Sequence, residues 1–277
     1  PQLMISDTEI NHDYIYQSPV VAIASRYPII ECTDVAANLD MAVDIGLSAD
    51  YTFSRRPLRA TIELPHIGNT DCYVVHFKSK RPLLTQDNPD LNTTKAVLDE
   101  FKRQICGSWG SGVQRGSESA LLFEAMISRR QASANPMILM GDFNDSIGNS
   151  TLEHLLMNEL RFVSDMQAQQ IIKQFSLRDS WELHINAQQH VHDLDIKVKS
   201  ENQLHTGSRP PTHYFGSKGS VLDYILLSCE FDAQYSQSSY AITDYHTYDR
   251  HLVNPIFERD SESTDHGIVQ IQLTPRT

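Results

Sequence analysis

A mixed α+β fold is what this sequence predicts, and three of its features say so. Three runs alternate in the two-residue rhythm of a strand with one buried side: Leu58–Leu64, Cys72–Lys78 and Gly267–Leu273. Two stretches put apolar residues on one side of a helix, Val97, Phe101 and Ile105 within 93–105 and Leu122, Ala125 and Met126 within 118–130. Two short apolar runs, Met137–Met140 and Val221–Leu227, complete the pattern as buried strands, the first too short for a stable helix and closed by Pro136 and Gly141.

In chain order, the apolar residues Leu3, Met4 and Ile5 lead to Glu9, and Val20–Ala24 is a strand running into Ser25-Arg26-Tyr27-Pro28, where proline ends regular pairing. Residues 31–52 show no pattern beyond strand and loop. Leu58, Ala60, Ile62 and Leu64 share one face of the next strand, against Arg59, Thr61 and Glu63. Its partner sets Tyr73, Val75 and Phe77 against Cys72, Val74, His76 and Lys78. A polar loop over 82–91 precedes the helix of 93–105. The glycines and serines of 107–116 predict a loop long enough for substrate contact, and a second helix over 118–130 delivers the chain to Met137. Ser150-Thr151-Leu152-Glu153 is a capping box that predicts a helix to about Leu160. Residues 161–219 are polar and rich in histidine (His184, His190, His192, His205), but no cysteine or carboxylate cluster stands at zinc-ligand spacing. Phe231–Ser263 reads as tyrosine-rich surface or loop. The last strand sets Val269, Ile271 and Leu273 against Gln270 and Gln272.

The 40% apolar and 21% charged content of 277 residues is that of a globular protein able to bury a full core. No apolar stretch reaches membrane-span length and no basic-then-apolar leader opens the chain, so a soluble protein of undecided localisation is expected. A net charge of −12 opposes non-specific attraction to a polyanion. A local cluster of Arg55, Arg56, Arg59, Lys78, Lys80 and Arg81 can still face such a substrate. Cys32, Cys72, Cys106 and Cys229 fall at no metal-ligand spacing and allow two disulfides or none, with buried free thiols expected at Cys72 and Cys229. No repeat or linker interrupts the chain, so a single domain over 1–277, acting as a monomer, is expected.

The chemistry concentrates after Gly141. If the chain stays extended there, Asp142 and Asn144 project on the same side, a hard oxygen ligand beside a neutral donor and acceptor. A phosphate bound to Mg²⁺ needs both kinds of group. Asp223 sits inside an apolar run and needs a partner, which the chain offers in His266.

Gly141-Asp142-Phe143-Asn144, the run Ser220–Ser228 around Leu222-Asp223-Tyr224-Ile225, and Ser263-Thr264-Asp265-His266-Gly267 stand in fixed order, joined by the strand carrying His76. In this the chain resembles the endonuclease/exonuclease/phosphatase superfamily, which includes DNase I-like nucleases, abasic-site endonucleases, sphingomyelinases and inositol polyphosphate phosphatases. The resemblance implies a four-layer α/β/β/α sandwich of two packed, mainly antiparallel sheets, with the family's first strand and its asparagine missing. It implies a Mg²⁺-dependent phosphodiesterase or nuclease, with Mn²⁺ or Ca²⁺ as alternative ions and phosphate esters, nucleic acid among them, as substrates. Glu9 and Asp265 would hold the metal, Asn144 and His76 would bind phosphate, and Asp223 would orient His266 as base, with Asp142 as the rival base. Arg26, in a turn like the family's Ser-Arg-x-Pro, would frame the phosphate pocket, while Arg55 and Lys78 would contact substrate. An inositol-phosphate or sphingomyelin-type phosphoesterase is the alternative within the family, and a catalytically inactive binding protein of the same fold is the alternative outside it.

Overall fold

A computed structural model describes residues 20–84, 89–195, 208–253, 255 and 263–276, together with the short stretch 14–17; for 14–17 and 189–195 it describes the backbone. Glu9 and the side chains of His190, His192 and His205 lie outside what is described.

The strands are β1 (Tyr14–Gln17), β2 (Ala22–Ser25), β3 (Ile29–Asp34), β4 (Leu58–Leu64), β5 (Gly68–His76), β6 (Met137–Asp142), β7 (Arg178–Asp179), β8 (His213–Phe215), β9 (Lys218–Ser220), β10 (Asp223–Leu227), β11 (Tyr240–Tyr248) and β12 (Ile268–Pro275). The helices are α1 (Leu39–Asp44), α2 (Thr94–Ser133), α3 (Met166–Phe175), α4 (Ser180–Asp195) and α5 (Arg250–Val253). Six strands form the central sheet in the order β3-β4-β5-β6-β10-β7. All its pairs are antiparallel except β5 with β6, which α2 connects as a crossover. The pairs β1-β2, β8-β9 and β11-β12 make three separate ribbons.

Strand alternation sends neighbouring residues of the central sheet into two different cores. Tyr73, Val75, Leu139 and Leu226 pack with Leu121, Leu122, Phe123 and Met126 of α2 and Ala42 of α1. Cys72, Ile138 and Leu227, each next in sequence to one of those residues, join Leu58, Ala60 and Ile62 of β4 against Ile23 of β2 and Tyr240 and Ile242 of β11. Helices therefore cover one face of the sheet and a second set of strands the other.

Within Phe231–Ser263, expected to be surface or loop, β11 is a nine-residue strand with Tyr240, Ile242 and Tyr245 buried, and three further expectations change. First, the polar face of β4 is buried at Arg59 and Thr61, because it carries an internal ion network there, and only Glu63 at its end is exposed. Arg59 is 7% exposed and Thr61 3%. The Arg59 guanidinium pairs with Glu31 at 2.6 Å, while Asp71 accepts from the Thr61 hydroxyl at 2.5 Å and from Arg129 of α2 at 3.1 Å. Each buried polar group thus has a partner, the condition for burying it. Second, residues 107–116 are not a loop but the middle of one 40-residue helix, α2. The glycines are there for close approach: a Cβ on Gly107 would stand 2.8 Å from the backbone nitrogen of Leu84 and 3.0 Å from that of Leu83. Ser111 fixes the same segment through its hydroxyl, which donates to the Arg81 carbonyl at 2.6 Å. Third, the capping box at 150–153 opens only a single 3₁₀ turn, Glu153–Leu156, whose N-cap is Leu152 and which has no side-chain cap hydrogen bond. All four cysteines are free thiols, with Cys72 and Cys229 buried.

Candidate active site

The site begins with a backbone that only glycine permits. Gly141 has φ +137°, and a Cβ there would lie 2.0 Å from the Val75 carbonyl oxygen of the parallel neighbour strand. This close pairing keeps β5 and β6 in register to their ends, where His76 stands opposite Asp142. On the other side of β6, Asp223 also stands opposite Asp142. Three neighbouring strands thus deliver an imidazole and two carboxylates to one edge of the sheet.

Asn144 then turns back. Its φ of 54° folds the chain so that its backbone N–H donates to Asp142 Oδ1 at 2.8 Å and its amide to Asp142 Oδ2 at 2.6 Å. The same amide nitrogen donates to the Phe77 carbonyl at 3.0 Å, so in this arrangement Asn144 holds Asp142 and the end of β5 in place rather than offering its amide to phosphate. Positive φ is least costly for glycine and asparagine, which explains the residue at this position. Beneath the turn Phe143 is fully buried, edge-on to Phe77 and Tyr224.

His266 comes from the entrance of β12, and its Nδ1 lies 2.8 Å from Asp223 Oδ2. Buried Thr212 ties the two together. Its hydroxyl oxygen accepts from the backbone N–H of Leu222 and of Asp223, and its carbonyl accepts from Gly267 N–H at 2.6 Å. His251 Nε2 lies 2.9 Å from the His266 carbonyl oxygen. Thr212 stands in Pro211-Thr212-His213-Tyr214, which resembles the piece that precedes the Leu-Asp-Tyr-Ile strand in the family, but no pattern in the sequence singles out His251.

The electrostatics follow from this crowding. Burial, aided by the negative charge of Asp223, pushes the Asp142 carboxyl up to about 6. The hydrogen bond that His266 donates to Asp223 raises it above the ordinary imidazole value. Burial lowers His76, and the charges of Arg55 and His266 lower it further. His76 Nε2 lies 3.3 Å from Asp142 Oδ2.

These groups line a cleft of about 1010 Å³ with Arg55, Lys80 and Arg81 on its wall. Arg55 donates to the Phe77 carbonyl at 3.0 Å while facing the cleft. Lys78 turns elsewhere: its ammonium donates to the carbonyls of Ser79 and Arg81, and Lys80, paired with Asp145 at 2.7 Å, takes the place at the cleft. Arg26 is exposed and is not among the residues lining the cleft. Asp265 is exposed at the rim, where its carboxylate groups with His213 and His266. Oxygen donors also meet deeper in the cleft, where Asp142, Asp223 and His266 offer ligand atoms within 4.8 Å of one another. Two facing carboxylates whose mutual repulsion is visible on Asp142 make a donor set that fits a hard divalent cation.

The model of the endonuclease/exonuclease/phosphatase family matches residues 16–244. The chain belongs to this family. The family's members are hydrolases acting on phosphate esters. The matched span includes His76, Asp142, Asn144 and Asp223, and the hydrogen bond to Asp223 brings in His266 from beyond it. None of the curated proteins matches the chain. Among solved structures, an endonuclease/exonuclease/phosphatase from Beutenbergia cavernae is similar over 92% of this chain and 47% of its own, at 14% identity and TM-score 0.40. The human Nocturnin catalytic domain with bound sulfate anion matches over 90% of this chain and 60% of its own, at 14% identity and TM-score 0.43. A mannosyl-6-phosphatase from Bacteroides thetaiotaomicron matches over 91% and 69%, at 16% identity and TM-score 0.40. The chain thus spans about half the length of the first of these and 60% of the second. No helix of the described residues is long and apolar enough to cross a membrane.

Proposed function

We propose that this chain is a metal-dependent phosphodiesterase that cleaves a phosphate diester by attack of water. The observation that carries the reading is the hydrogen-bonded pair Asp223–His266 in the same cleft as Asp142 and His76. Asp223 fixes the proton on Nδ1 of the neutral ring, which leaves Nε2 as the basic nitrogen. His266 takes a proton from water as its oxygen bonds to phosphorus, and Asp223 stabilises the imidazolium that forms. The bond from phosphorus to the ester oxygen on the opposite side breaks, that oxygen takes a proton from solvent water, His266 returns its proton to solvent, and the products are a phosphate monoester and an alcohol. His76 and Arg55 donate to the non-bridging oxygens, where negative charge builds in the transition state. Asn144 keeps the Asp142 carboxylate aimed into the cleft.

Asp142 and Asp223 are the residues that would hold the family's divalent cation, Mg²⁺ before Mn²⁺ or Ca²⁺. When bound, such an ion supplies positive charge against the phosphate oxygens. The acidic balance of the chain, −12 overall, favours a small diester over long nucleic acid.

The test is release of p-nitrophenol from bis-(p-nitrophenyl) phosphate with Mg²⁺ and with EDTA, beside plasmid DNA, single-stranded DNA, RNA and p-nitrophenyl phosphate. Diester cleavage abolished by EDTA is expected. His266→Ala and Asp142→Asn are each expected to lower turnover by roughly 10²–10⁴-fold with the far-ultraviolet circular dichroism unchanged. Wild-type turnover in the folded His266→Ala variant would overturn the role given to His266.

A further inference from the structure

Helix α3 is strongly amphipathic, yet none of its residues is buried. Its apolar side, Ala168, Ile171, Ile172 and Phe175, follows the i, i+3, i+4, i+7 spacing of a helix face that packs on a core. Helix α2 presents Ala120, Phe123 and Ile127 toward it at matching spacing. The two faces do not close on each other. Between them runs a groove of about 630 Å³, lined further by Met41 of α1 and by Met157 and Leu160. It shares no lining residue with the phosphate cleft. Met41, Met157 and Ile171 are each about half exposed, so the rim of the groove is apolar surface left in water. Contiguous apolar surface of this kind marks a place where something binds.

We propose that this groove docks one amphipathic helix of a partner protein, apolar on one side and rich in lysine and arginine on the other. The wall on α2 extends from Ala120 to Gln131, about 16 Å or three turns of helix. A helix with its side chains is about 10–12 Å across, so it fills the groove and also covers the rim, which a small molecule held inside the cavity would leave wet. Its apolar side chains enter at i, i+3 or i+4, and i+7, the helix-in-groove mode of recognition. Methionine at positions 41 and 157, unbranched and flexible, lets the rim adjust to them. Charge selects the sign of the partner. Glu124 and Glu159 line the groove, no lysine or arginine does, and burial keeps the His154 imidazole neutral near pH 7. A basic flank finds counter-charges here, whereas an acidic partner, a second copy of this −12 chain included, is repelled.

The full chain is titrated, by fluorescence anisotropy, into labelled helical peptides of equal length: one of leucine and lysine, one of leucine and glutamate, and one of serine and lysine with the charge of the first. Tight binding of the leucine–lysine peptide alone is expected. Ile171→Asp is expected to weaken it by at least about 30-fold, the loss of a hot-spot anchor. A second variant separates a lost contact from an altered fold. Glu124→Lys combined with Glu159→Lys is expected to reverse the preference toward the leucine–glutamate peptide, while Glu63→Lys, an exposed charge at the end of β4, leaves it unchanged. Equal affinity for the two lysine peptides, or a preference untouched by the double substitution, would overturn the proposal as unspecific attraction to an acidic surface. Laurate bound in the groove with no peptide binding would overturn it in favour of a small apolar ligand. A wild-type dimer in sedimentation that Ile171→Asp dissociates would overturn it in favour of a second copy.

Discussion

Gly141 shows how much of this site depends on one missing Cβ. Its left-handed φ and the 2.0 Å gap to the Val75 oxygen leave alanine nowhere to go without parting β5 from β6. Gly141→Ala is expected to cost about 3 kcal/mol or more, the sum of overpacking and an unfavourable φ, read as a lowered urea midpoint. A midpoint equal to wild type would show that the strands can separate freely. The sequence displays Gly141 as the end of an apolar run, and Asp142 with Asn144 as its polar sequel. It does not display the reason for the glycine, which is a parallel neighbour more than sixty residues earlier. His154 is invisible in the same way: no pattern predicts that burial will hold its pKa below the ordinary 6.5, with Ser119 Oγ 2.9 Å from its Nε2. A depressed folded-state value means that the unfolded chain binds the proton more readily. The stability this neutral ring contributes is therefore complete above about pH 6.5 and is lost as the pH falls below it. The melting temperature of wild type is expected to fall more steeply below that pH than that of His154→Gln. Parallel curves would exclude His154 as a source of acid sensitivity.

At the scale of the element, α2 is where sequence and structure part most. Glycine and serine between 107 and 116 read as a loop because each lowers intrinsic helix propensity. The helix continues through them because neighbouring segments pack against the bare backbone and make up the loss. The glycines are not equivalent. A Cβ at Gly107 would press on the backbone of Leu83 and Leu84, whereas one at Gly112 would meet only Thr151 Cγ2, at an ordinary 3.8 Å. Gly112→Ala is expected to raise stability by about 0.5–1 kcal/mol, the usual gain for this change inside a helix. Gly107→Ala is expected to lower it, both read by chemical denaturation. The same sign for both would mean that propensity alone governs the segment. The alternating strands β4, β5 and β12 were legible since their period needs no knowledge of partners. The buried Arg59–Asp71 network on β4 was not, because polar residues at alternate positions signal solvent unless an ion pair is known to cover them.

For the whole molecule, the mixed fold class and the strand-end position of the site could be read from the chain, but the order of the central sheet could not. That order depends on which strands pair across long gaps, and short apolar runs carry no such address. Since the central sheet contributes to both cores, we expect the two to melt together as one unit. Trp109 on α2 and Trp181 on α4 provide one reporter in each part of the molecule. Fluorescence melts of Trp109→Phe and Trp181→Phe are expected to share a midpoint. Distinct midpoints would divide the chain into two domains. The chain path through the sheet also sets the order in which the site is made. His76 and Asp142 are strand-end neighbours across a parallel pair, so they meet only after the long α2 crossover has closed. Asp223 adds to the same edge later, and His266 later still. During synthesis the residues of the cleft therefore leave the ribosome in the order His76, Asp142, Asp223 and His266, so the edge of the sheet is laid down before the segment that closes it.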